Sequence, residues 1–234
     1  MPRPTPGGPQ AGEPARTHAL AALRQAILSG DVAPGQRLVE EELAGLLKVT
    51  RASLRAALLD LTAEGLVERI PNRGARVRVV TTDEAVAITE CRMALEALCA
   101  VKAAQHITDD DAARLRELGG ELSRAVAERN PLKYSELNRE LHRRVGVISG
   151  QAVAVSLLAR LHAQIVRHQF QLALRPGRPE QSLAEHLAII DAIADRRPDD
   201  ADRAVRRHLN SVIDALRATG NTTGVAAREA GQPI

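Results

Sequence analysis

Aromatic residues are almost missing from this chain, which has one Phe, one Tyr and no Trp. Sandwiches and barrels draw on aromatic and β-branched side chains, so a core built from Leu, Ala, Val and Ile points instead to packed helices. Cysteine is nearly as scarce. Cys91 and Cys99 stand in a helically patterned stretch without CxxC spacing and read as reduced thiols rather than a disulfide or a redox centre. No apolar run approaches the ~20 residues that cross a bilayer, and the N-terminus lacks a signal core, so no membrane partner and a cytoplasmic location are expected.

What is present is ample apolar material, 44% of 234 residues, and a small positive charge of +3. That sum permits nucleic-acid binding without implying it. The distribution says more. Arg51, Arg55, Arg69, Arg73, Arg76 and Arg78 crowd one segment, whereas Glu40, Glu41 and Glu42 make the preceding stretch acidic.

Residues 1–14 are rich in Pro and Gly and read as a disordered tail, as do residues 219–234. Between them the pattern changes once, near Val80. The first part, residues 15–80, has short elements. Ala19, Leu20, Leu23, Ile27 and Leu28 give a helix that Gly30 ends, and Pro34-Gly35 makes a turn. A second helix spans about 39–47. Thr50 is placed to cap a third, with Leu54, Leu58 and Leu61 as its apolar face and Gly65 closing it. Alternating segments at 66–70 and 75–79 flank Pro71-Asn72-Arg73-Gly74 and predict a β-hairpin.

Thr81 and Glu84 form a capping box that opens the second part, residues 81–218. Helices are expected at 83–106, 109–129, 132–149, 151–174, 179–196 and 199–217, joined by short breaks. Such connections make an antiparallel bundle. The fold class is therefore mainly α: a winged helix-turn-helix followed by an all-α bundle.

In a winged helix-turn-helix the later helix enters the major groove. Here Thr50, Arg51, Ala52, Ser53 and Arg55 lie at its start and offer donors for phosphate and guanine, and Arg73 at the wing tip reaches toward phosphate or a narrow minor groove. In the bundle, Asn138 and His142 are one helical turn apart. His186 and His208 flank the break at Arg197-Pro198 symmetrically, so an antiparallel hairpin brings them to similar heights. Three imidazoles and an amide oxygen suit a divalent metal such as Zn(II) or Ni(II), with positions left for a ligand.

The run ILSGDVAPGQRLVEEELAGLLKVTRASLRAALLDLTAEGLVERIPNRGARV resembles the DNA-binding domain of GntR-type regulators. The resemblance implies that Thr50, Arg51, Arg55 and the Arg73-Gly74 wing contact operator DNA, with Arg37 near the backbone. Lys48 stands where the family usually has Gly. The runs YSELNRELHRRVGVISG and AEHLAIIDAIADRRPDDADRAVRRHL resemble the helical effector domain, FCD, of the FadR branch. Its metal-binding members carry [DN]-x3-H, then E-H, then H-L, matched here by Asn138, His142, His186 and His208, with Asn in place of the more usual Asp. The resemblance implies a small carboxylate effector held with the help of metal, and Arg92, in the pattern of Glu90, Arg92 and Glu96, as its contact or as a structural ion pair.

The resulting expectation is a homodimeric repressor on double-stranded operator DNA, modulated by a carboxylate. A metal-dependent hydrolase is one alternative, although Glu140 and Glu185 adjoin the ligands in sequence at about 100° to their side of the helix. A scaffold that binds DNA without sequence preference is another.

Overall fold

The computed structural model describes residues 10–70 and 74–229, without the side chains of Phe170 and of 220–229. The chain divides into two compact units, Met1–Val80 and Thr81–Ile234, at the boundary the pattern change marks.

In the first unit, α1 (Glu13–Ser29) ends at Gly30, whose φ of 88° is a left-handed conformation that glycine adopts freely. Strand β1 (Arg37–Leu38) leads into α2 (Glu40–Leu47) and α3 (Arg51–Ala63), and the hairpin follows as β2 (Val67–Ile70) and β3 (Gly74–Val77). The sheet is antiparallel in the order β1-β3-β2, with Arg37 opposite Arg76 and Val67 opposite Val77. β1 was not legible in the sequence, because two residues are too few to show an alternation. Ala15, Ala19 and Leu23 of α1 and Leu54, Leu58 and Leu61 of α3 are buried in the core. Bidentate pairs of Arg16 with Asp60 and Arg24 with Glu64 tie α1 to α3.

The second unit holds α4 (Thr82–His106), α5 (Asp109–Ala127), α6 (Pro131–Ser149), α7 (Ala152–Ala173), α8 (Arg178–Ala194) and α9 (Pro198–Glu229). Thr81, Thr108 and Asn130 each accept a backbone N–H at the start of α4, α5 and α6. α4 packs against α6, α7 and α9, and α5 against α6 and α8. Small residues set the closest approaches: a Cβ on Gly146 of α6 would stand 2.9 Å from Val155 of α7. The faces of α4, α6, α8 and α9 thereby converge on one interior.

Both tail boundaries differ from expectation. Gln10 bridges to Val49 and α1 starts at Glu13, inside the segment 1–14. α9 runs to Glu229, past the expected limit at 218. Thr222 and Thr223 do not stop a helix, and without Pro after Pro198 the backbone has no obligatory break until Pro233.

Candidate nucleic-acid interface and metal centre

The start of α3 is built by its cap. Thr50 accepts the backbone N–H of Ser53, and the Ser53 side chain is buried against Thr50 and the Gly12 carbonyl. Ser53 therefore belongs to the cap and departs from its expected place among DNA-facing groups. Arg51, Ala52 and Arg55 are exposed, as are Arg37 and Gly74. Arg73 lies outside the described residues. Arg51 pairs with Glu41 at 2.5 Å and Arg55 with Glu40 at 2.8 Å, so the acidic stretch of α2 holds the arginines of α3. The Arg55 hydrogen bond holds the Glu40 carboxyl below its ordinary range. Between the two helices Lys48 has φ 54°, the left-handed conformation in which glycine is unstrained.

In the second unit, α6, α8 and α9 bring His142, His186 and His208 together, with one potential ligand atom of each within 4.8 Å of the others. The ring centroids of His186 and His208 are 4.4 Å apart, and that of His142 is 5.6 Å and 6.1 Å from them. All three border a cavity of about 60 Å³ that Asn138, Arg92, Tyr134 and Arg178 also line.

Each imidazole is oriented through Nδ1. His142 Nδ1 is 3.1 Å from Glu96, His208 Nδ1 is 2.7 Å from Glu185, and His186 Nδ1 is 3.0 Å from the Tyr134 hydroxyl. A carboxylate only accepts, so Glu96 and Glu185 fix the proton on Nδ1 and leave Nε2 with a free lone pair. Burial lowers the pKa of His186 well below its usual value and that of His208 below its own, with Glu185 opposing in part, so both are neutral ligands. Burial would raise the Glu96 carboxyl, but Arg92 and His142 outweigh it and hold it well below the carboxylate range.

Two buried atoms in the cavity have no hydrogen-bond partner among the described residues, Asn138 Oδ1 and His186 Nε2. Orphaned acceptors of this kind are costly unless something fills them. Three imidazole nitrogens are borderline donors that fit a divalent ion such as Zn(II) or Ni(II), with the harder amide oxygen as a fourth, and the ~2.1 Å bonds require the ligand atoms to draw inward. The residues present thus fit a metal.

Arg92 is buried and does form an ion pair, with Glu96 at 2.8 Å, yet its Nη1 is a third buried atom without a hydrogen-bond partner among the described residues. Sequence reasoning missed Tyr134 and Arg178 as parts of the site, and Glu185 as the partner of His208. Glu185 reaches His208 across the α8–α9 gap despite adjoining His186 in sequence, which no single-helix projection reveals. His162 of α7 hydrogen bonds Glu96 at 3.2 Å.

A winged helix-turn-helix unit followed along the chain by a helical unit with a polar cavity is the architecture of a transcription regulator. The comparisons agree: residues 15–77 match the model of the gntR family of bacterial regulatory proteins, and residues 87–211 match the FCD domain. The chain belongs to the gntR family and carries an FCD domain; it is a transcriptional regulator and not an enzyme. It is 30% identical over 227 residues to the HTH-type transcriptional repressor NanR of Salmonella newport, covering 85% of this chain and 84% of the relative. It is 26% identical over 205 residues to the HTH-type transcriptional repressor RspR of Escherichia coli K12, covering 88% and 90%. Among solved structures, E. coli McbR/YncC superposes with a TM-score of 0.73 at 19% identity, over 90% of this chain and 99% of that one. A putative GntR regulator from Rhodococcus sp. RHA1 gives 0.68 at 22%, over 88% and 99%. At these identities the two structures support the fold alone.

Proposed function

We propose that this chain is a homodimeric repressor of the FadR branch, seated on the two half-sites of a pseudo-palindromic operator and released by a small carboxylate that binds at a metal ion in the helical domain. Asn138, His142, His186 and His208 hold the metal, Zn(II) or Ni(II), and Arg92 receives the acid. Thr50, Arg51, Ala52 and Arg55 with the Arg73-Gly74 wing contact DNA, and Arg37 lies near its backbone. The observation that carries this reading is the meeting of three Nδ1-anchored histidines and the orphaned Asn138 Oδ1 on one buried cavity. Repression is supported by the relatives NanR and RspR, both named repressors.

When bound, the ion supplies a Lewis-acidic site for carboxylate oxygens. The chain's own residues do the rest: Glu96, Tyr134 and Glu185 orient the imidazoles, and burial excludes water. The switch works because the acid binds one arrangement of the dimer more tightly than the other, which changes half-site spacing.

Gel shift on the chain's own upstream DNA tests this, using metal-loaded and chelated protein with acids from acetate to citrate. The expected result is an acid-dependent release that chelation abolishes. An identical response with and without metal contradicts the metal reading. Specific reading of DNA is tested in the same assay by R51A/R55A. Loss confined to the upstream sequence supports operator recognition, whereas equal loss on every duplex favours the scaffold reading.

A further inference from the structure

Resting on the metal reading above, we propose that the acid taken by this cavity is a dianion, a short dicarboxylate in preference to a monocarboxylate. Two features carry it, the sum of charges around the cavity and the placement of an unused donor.

Two cations and two anions of the protein face the site. Arg92 and Glu96 of α4 pair at 2.8 Å, and Arg178 and Glu185 of α8 pair at 3.6 Å, so they cancel. All four are nearly enclosed, with side-chain exposures of 2%, 6%, 7% and 11%. An imidazole ligates a metal only in its neutral form, so His142, His186 and His208 bring no charge once the ion is bound; Asn138 brings none, and Tyr134, Gln169 and Ser182 line the cavity with neutral polar atoms only. A divalent ion therefore adds two positive charges that no side chain offsets. In a buried site an uncompensated charge is costly, and the bound ion dominates the local field. A monocarboxylate leaves one charge standing; a dianion leaves none.

The second feature is Arg92 Nη1, buried on the cavity wall without a hydrogen-bond partner among the described residues while Nε and Nη2 are engaged by Glu96. A guanidinium N–H toward a carboxylate is a strong, charge-assisted hydrogen bond, and leaving it unmade has a cost. Metal and Nη1 are separate anchors, each suited to one acidic group. The cavity, about 60 Å³, restricts the chain between those groups to a short one.

The test compares acids of equal carbon number. Full-length protein is stripped, reloaded with Zn(II) and checked by native mass spectrometry for one ion per chain before and after titration. Calorimetry then measures malonate against propionate, and succinate against butyrate. The dicarboxylate is expected to bind at least about tenfold more tightly, a difference of about 1.4 kcal/mol. In N138D, which adds one negative charge at a ligand position, that ratio is expected to fall toward unity. A metal-loaded chain that binds both acids of a pair equally, or an N138D ratio unchanged from the wild type, overturns the dianion inference alone. A chain that takes up no ion overturns it together with the metal reading.

Discussion

His208 shows how much of the proposed sensor depends on groups that touch no ligand. Its ring is fixed by Glu185, which Arg178 in turn flanks. Partners of this kind typically tune metal affinity by 10–100-fold, a range roughly expected for E185Q. Competition with a metallochromic dye measures this, and unchanged affinity contradicts an orienting role. Folding itself has a second signature at this scale. Burial depresses the pKa of His186 and His208 from 6.5, so above that value both the folded and unfolded chains carry them neutral. As pH falls through about 6.5 the unfolded chain gains protons that the folded chain resists, and stability is lost down to the depressed values. Metal-free protein is accordingly expected to melt at progressively lower temperature from about pH 7.5 to about pH 5.5. A flat profile over that window contradicts it.

At the scale of elements, capping chemistry made the sequence readable. Thr50, Thr81, Thr108 and Asn130 sit where their hydroxyl or amide satisfies a helix start, and α3 to α6 begin within a residue or two of expectation. The end of α9 was not legible, since small polar residues weaken a helix without forbidding it. Lys48 is the clearest local conflict. It occupies a left-handed conformation at φ 54° between the two helices of the DNA-reading motif. K48G relieves a steric cost that exceeds the added chain entropy, and it is expected to stabilise the N-terminal unit by about 0.5–1 kcal/mol. Denaturant unfolding reads this directly; an unchanged or lower midpoint contradicts the assigned strain.

At the scale of the whole molecule, the division at Val80 was visible because the spacing of apolar residues and the density of breakers both change there. The convergence of Asn138, His142, His186 and His208 on one cavity was legible from helical geometry, as one turn separates Asn138 from His142 and a hairpin aligns His186 with His208. Their supports were not. Glu96 and His162 come from α4 and α7 and are brought in by packing rather than spacing, while Tyr134 and Arg178 share α6 and α8 with proposed ligands, and no motif singled them out. Ser53 was misplaced for a related reason: a residue at a recognition helix start looks available to DNA until its cap geometry turns it inward.

The proposed control of DNA binding depends on one divalent ion held in the helical domain by Asn138, His142, His186 and His208. Native mass spectrometry of chain purified without chelator or added metal tests it most directly, comparing wild type with H186A. One Zn(II) or Ni(II) per wild-type chain, carried by a dimer, and none in the variant, is the expected result. Equal metal content in the two, or none in the wild type after loading, would contradict it.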